Sequence, residues 1–133
     1  AVVNLPDVSQ TPLAFGYDAN TRGFINMLVT TFNNTLSAGL TGKPGVIIID
    51  AYTQGRDQIA NPSQYTLSNV ASPACNPASP VNPGGGSLTC TTGSLIAGDT
   101  SKYLFADDVH LSPFGNQLLA QFVAKNLIMA GWN

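Results

Sequence analysis

Val46-Ile47-Ile48-Ile49-Asp50 is the stretch on which the fold turns. Four consecutive β-branched side chains leave no polar face, so a strand made of them is covered on both sides. Strands covered on both sides belong to parallel sheets flanked by helices. The neighbouring segments supply such helices. From Asn20 or Thr21 onward, Phe24, Ile25, Leu28, Val29, Phe32 and Leu36 recur at three- and four-residue spacing, which predicts one buried helical face. The Gly39–Gly45 region ends that helix. Beyond the strand, Tyr52 to Asn69 reads as a short helix or two, with Asn61-Pro62 as cap and first helical position. Ser112 and Pro113 open a last helix, whose buried face is Phe114, Leu118, Leu119, Phe122, Val123 and Leu127 and whose stop is Gly131. Ala1–Leu5 is a second short apolar strand, ended by Pro6-Asp7. Ser9 to Tyr17 reads as a loop, and Tyr103-Leu104-Phe105 as a brief apolar segment. Ala71 to Gly98 is a long Pro/Gly/Ser/Asn-rich loop with Gly84-Gly85-Gly86 as a flexible tip.

This order of strands and helices predicts an α/β fold with a parallel sheet. Two strands are too few for such a sheet, whose centre needs neighbours. The expectation is therefore that residues 1–133 form the C-terminal part of a single larger domain, with the missing strands preceding Ala1. Alone, the two strands would present open edges, so the chain is expected not to be stable by itself.

Composition narrows the function. The chain has 133 residues, 44% of them hydrophobic, enough to bury a core. Only 9% are charged, against about 25% in an average soluble domain. The acidic residues are all Asp, and the net charge is −2 with five Lys and Arg in total. No basic face can form to neutralise phosphates, which excludes an electrostatic nucleic-acid binder and a polybasic membrane-surface module. The apolar run Val46–Ile49 is far short of the roughly 20 residues of a membrane helix. No basic region opens the chain at Ala1, so a signal peptide, if the protein is exported, is not among these residues. Cys75 and Cys90, 15 positions apart in the loop-like stretch, suggest a disulfide and hence an oxidising, secreted or cell-surface location; the alternative is two free thiols. Closing such a loop stabilises by roughly 3 kcal/mol in the chain-entropy account. One His and no Cys-x-x-Cys argue against a structural zinc site.

The chemistry concentrates in Asp107-Asp108-Val109-His110. His110 is the only histidine, so any imidazole chemistry falls to it. A histidine acting as general base needs a partner that fixes its tautomer and stabilises the imidazolium. Asp107, three positions upstream on a tight turn, can supply this, with Asp108 as the rival. A neutral imidazole then accepts a proton near pH 7.

The segment Tyr103–Gly115, reading Tyr-Leu-Phe-Ala-Asp-Asp-Val-His-Leu-Ser-Pro-Phe-Gly, resembles the last block of the GDSL-type SGNH hydrolases, with Leu111-Ser112-Pro113 in place of the family's His-Pro-Thr continuation. Val3-Asn4-Leu5-Pro6-Asp7-Val8 with Thr11-Pro12 resembles the strand and loop that follow the family's third block. Val46 to Tyr52, Asn61-Pro62 and the Cys75/Cys90 loop resemble its next strand and disulfide-closed loop. The nearest likeness is the secreted bacterial esterase/lipase branch, including autotransporter passenger domains. The resemblance implies a three-layer α/β/α, flavodoxin-like sandwich. It implies that Asp107 and His110 are two members of a Ser-His-Asp triad acting on carboxylic esters (lipids, aryl esters or acetylated sugars), with no metal or organic cofactor.

The nucleophile block, Gly-Asp-Ser, is absent, as are the Gly and Asn blocks of the oxyanion hole. Gly98-Asp99-Thr100-Ser101 only imitates it: Thr100 stands in the nucleophile's place, and the segment reads as a turn. No Gly-x-Ser-x-Gly elbow occurs. A triad acts as a unit, so the chain alone is expected to be inactive, with an N-terminal fragment of the same hydrolase as its partner. The competing readings are a non-catalytic binding module that kept the end of the fold, and a flavodoxin-like half with a coincidental Asp-x-x-His. Asn33-Asn34-Thr35 fits a glycosylation sequon but falls on a helix, Asp50 reads as a cap, and the Cys75–Cys90 loop reads as either a lid or a surface ornament.

Overall fold

A computed structural model describes residues 1–132. Each strand predicted from the apolar runs forms, but shorter than its run. Val2–Val3 (β1) and Ile48–Ile49 (β2) pair in parallel, Val2 opposite Ile48 and Val3 opposite Ile49. Between them run two helices, Pro12–Phe15 (α1) and Ala19–Leu40 (α2). The α1 turn lies inside the stretch read as loop. Thr11 caps it and Pro12 holds its first position, a start signal hidden by the brevity of the helix. Asp18 caps α2 by accepting from the Asn20 and Thr21 amides at 2.8 and 2.9 Å.

Asp50 ends β2 and caps Ala51–Ala60 (α3), accepting from the Thr53 amide at 3.1 Å and from Asn4 Nδ2 at 2.8 Å. It is a cap, as its position suggested. A 3-10 turn, Pro62–Tyr65, follows. Two further strands then appear where the sequence reads as loop and brief apolar segment. Asn69–Pro73 (β3) and Tyr103–Phe105 (β4) form a second parallel pair, with a register shift between Asn69 and Pro73. Parallel pairing thus extends to four strands, in two separate two-stranded sheets. Pro113–Met129 (α4) closes the chain, capped by Ser112 and stopped near Gly131 in its left-handed conformation.

The main core lies on the second sheet. Leu67, Leu104 and Phe105 are buried, with Ile59, Tyr65, Val70, Leu111, Phe114 and Leu118 packed around them. Gly115 lets α4 sit against β4: a Cβ there would lie 2.5 Å from the Leu104 carbonyl oxygen. The face of α2 departs from expectation. Only Val29 of this helix is buried, while Phe24, Met27, Leu28 and Phe32 are about half exposed. The periodicity is that of a core helix, and the described residues supply nothing to cover most of it. Asn33 nevertheless ties α2 to the chain end of β1, its side-chain amide donating to the Leu5 carbonyl at 2.8 Å and accepting from the Leu5 amide at 2.9 Å. That pair of hydrogen bonds gives Asn33, the first residue of the apparent sequon, a structural task.

Candidate active site

The site forms where β4 turns back on itself. Ala106 donates to the His110 carbonyl at 2.8 Å and Ser112 to the Leu104 carbonyl at 2.9 Å, so residues 106–110 make a tight turn. Asp107 organises that turn. Its Oδ1 accepts from the amides of Val109, at 2.9 Å, and His110, at 2.7 Å. Its Oδ2 accepts from the Ser87 amide at 2.9 Å. His110 Nδ1 lies 3.0 Å from Oδ1 and 2.9 Å from Oδ2. Asp107, not its neighbour Asp108, is therefore the carboxylate on the ring. Asp108 contributes its carbonyl, which accepts from the Leu13 amide at 2.9 Å.

Burial works against the Asp107 charge, but the hydrogen bonds from His110, Ser87 and Val109 outweigh it and hold this carboxyl well below the ordinary carboxylate range. An ionised carboxylate can only accept, so Nδ1 of His110 carries a proton toward it, and in the neutral ring the lone pair is then on Nε2. The two side chains differ sharply in exposure, 14% for Asp107 and 70% for His110. The orienting group is enclosed and the basic nitrogen open. Such a pair can take a proton from a hydroxyl brought to Nε2 and give it back.

Other features place the surroundings. Cys75 and Cys90 are joined in a disulfide. The glycine tip of their loop is not free, since Gly85 is buried and a Cβ there would lie 2.9 Å from Pro77 N. Gly98 lies in a bend at positive φ, and the segment runs into a turn over Thr100–Tyr103, closed by the Tyr103 amide donating to the Thr100 carbonyl at 3.1 Å. Asp7, in the Leu-Pro-Asp stretch, is buried and paired with Arg56. Burial raises its pKa, but Ser9, Asn26 and Arg56 outweigh it, so this carboxyl too lies below its ordinary range. An apolar cavity of about 300 Å³ is lined by Val3, Leu5, Val8, Ile59, Val109 and Leu111; neither Asp107 nor His110 lines it. Among the described residues no cluster of His, Cys, Asp and Glu could hold a metal ion, and no helix is long and apolar enough to cross a membrane. Sequence reasoning missed Ser87. Its contribution is a main-chain amide, which no side-chain pattern encodes; the disulfide loop ahead of the Asp-x-x-His block was the one hint.

No family model matches the chain. Its relatives nonetheless fall in one class, the GDSL esterase/lipases. One such protein of Arabidopsis thaliana is 36% identical over 76 residues, covering 57% of this chain and 20% of the relative. A second, from the same plant, is 34% identical over 73 residues, covering 55% and 19%. The likeness thus spans about a fifth of the length of each. The mixed helix-and-strand architecture with short parallel sheets is compatible with that likeness.

Proposed function

We propose that this chain is the C-terminal part of a secreted Ser-His-Asp ester hydrolase, in which Asp107 and His110 are the acid–base pair and an N-terminal segment brings the serine and the oxyanion donors. The observation that carries the proposal is the contact of His110 Nδ1 with an enclosed, ionised Asp107 while Nε2 faces outward. In the first half-reaction the serine oxygen bonds to the ester carbonyl carbon as its proton passes to Nε2 of His110. Collapse of the tetrahedral intermediate breaks the ester C–O bond, and His110 returns that proton to the leaving alcohol. Water repeats the sequence on the acyl-enzyme. The substrates are carboxylic esters. The full domain is a three-layer α/β/α sandwich whose central strands come from the N-terminal segment. The Cys75–Cys90 disulfide and the sparsely charged composition support a secreted protein.

The test is a fluorophosphonate probe applied to this chain together with its N-terminal segment, with mass spectrometry of the labelled polypeptide. Label is expected on a serine of the N-terminal segment, and His110→Ala is expected to abolish it. Label or ester turnover that survives His110→Ala would sink the assignment. A binding module would take no label in either form.

A further inference from the structure

The loop between Cys75 and Cys90 approaches the site from outside the turn that holds Asp107. Its start is fixed to the strand end beside that residue, because the Cys75 amide donates to the Ala106 carbonyl at 2.8 Å. Its far end is bonded covalently to the same cysteine. Between them the loop is braced from within. Asn82 is buried at 2% exposure and donates from Nδ2 to the Gly86 carbonyl at 3.1 Å, while its Oδ1 accepts from the Thr89 hydroxyl at 2.6 Å. Gly85, pressed against Pro77, leaves no room for a side chain. The product of this bracing is one outward amide, that of Ser87, on Asp107 Oδ2 at 2.9 Å. The turn itself satisfies Oδ1 with two amides, and the loop alone supplies a main-chain donor to Oδ2.

We propose that the disulfide-closed loop is a strap that positions the Asp107 carboxylate, with Ser87 as its positioning residue, and that the Cys75–Cys90 bond keeps the strap taut. The loop is on this account neither a lid nor an ornament. The proposal rests on the triad reading above. Without the strap the carboxylate can rotate about its own side-chain bonds, and His110 loses the fixed acceptor that orients its ring. Chemistry then suffers while substrate binding does not.

Proline at position 87 removes both donors of Ser87 toward Asp107, the amide and the hydroxyl, so Ser87→Ala is the control that removes the hydroxyl alone. Ser87 is the first residue of a 3-10 turn, Ser87–Thr89, and Gly86 before it is extended, with φ −61° and ψ 137°. Proline fits such a position and deletes the amide donor. The full protein, N-terminal segment included, would be assayed with a short-chain p-nitrophenyl ester as Ser87→Pro, as Ser87→Ala, as Leu88→Ala, and as wild type before and after thiol reduction. Ser87→Pro and the reduced wild type are expected to lose about tenfold in kcat, the rate equivalent of one hydrogen bond, with KM unchanged. Leu88 is the neighbouring side chain and 99% exposed; Leu88→Ala is expected to behave as wild type. A raised KM in Leu88→Ala or Ser87→Pro would make the loop a substrate-facing lid and overturn the strap. Unchanged kcat in a folded Ser87→Pro would overturn it too. Thermal melting accompanies each variant, and if Ser87→Pro does not fold, the reduced wild type decides. His110→Ala, run in parallel, separates the two levels: activity surviving there removes the triad reading itself, whereas a dead His110→Ala beside an unimpaired Ser87→Pro removes only the strap.

Discussion

Asp107 takes three main-chain amides on its two oxygens in addition to the imidazole. An Asn there keeps the shape but has only one accepting oxygen, so its NH2 group must oppose either an amide or the protonated Nδ1. Asp107→Asn in the full protein is expected to lower kcat by about 10⁴-fold, the loss typical of a wrong histidine tautomer, with KM little changed. Acid stability follows from the same groups. Asp107 and Asp7 are both held below the ordinary value of 3.8. A carboxyl whose folded pKa is depressed stabilises above its unfolded value and loses that contribution as pH falls through the folded one. The urea midpoint is therefore expected to be flat above about pH 5 and to drop below about pH 4, with Asp7→Asn flattening part of the drop. Arg56 covers a nearly inaccessible Asp7 carboxylate but is itself half exposed, which moderates its worth. Arg56→Ala is expected to cost about 1–2 kcal/mol by denaturant titration, above the median surface pair and below a fully buried one.

Helix α4 sits directly against β4. Gly115→Ala would place a methyl group 2.5 Å from the Leu104 carbonyl oxygen and 3.2 Å from Leu111 Cβ. Backbone cannot yield as a flexible side chain does, so an overpacking loss of about 1–3 kcal/mol is expected, measurable as a shift in melting temperature. The elements also differ in how openly the sequence announces them. Helices α2 and α4 are legible because their apolar spacing persists over many turns and Ser112 and Pro113 mark the start of α4; sequence reasoning missed the Asp18 cap of α2, so that helix begins one or two residues earlier than its spacing predicts. The strands β3 and β4 are obscure. Asn69–Pro73 has neither alternation nor a β-branched run and ends in proline, and Tyr103–Phe105 is three residues long. Their pairing joins residues more than thirty positions apart, which local pattern does not reveal. Asp107 and His110 were legible because both lie on one turn; Ser87 was not, because its contact spans 20 positions and uses the main chain.

For the molecule as a whole, the telling feature is what lies uncovered. Phe24, Met27, Leu28 and Phe32 are about half exposed on α2, and Leu13, Phe15 and Tyr17 stand nearby in sequence with comparable exposure. Side chains in this number on a small surface favour association. The 133-residue chain alone is expected to bind a hydrophobic dye such as ANS and to associate with rising concentration, both reversed by adding the N-terminal segment. A monomeric, dye-silent chain would remove the argument for an incomplete domain. The turn at residues 106–110 has the opposite character, because its acid and base are oriented within four consecutive positions. The distance a triad tolerates least is therefore set by the shortest loop closure in the site. It is insulated from slow breathing between the two sheets, and on the proposed reading the Asp107–His110 pair becomes a transplantable cassette, needing from its host a strand end, an amide for Oδ2, a serine within reach and the oxyanion donors.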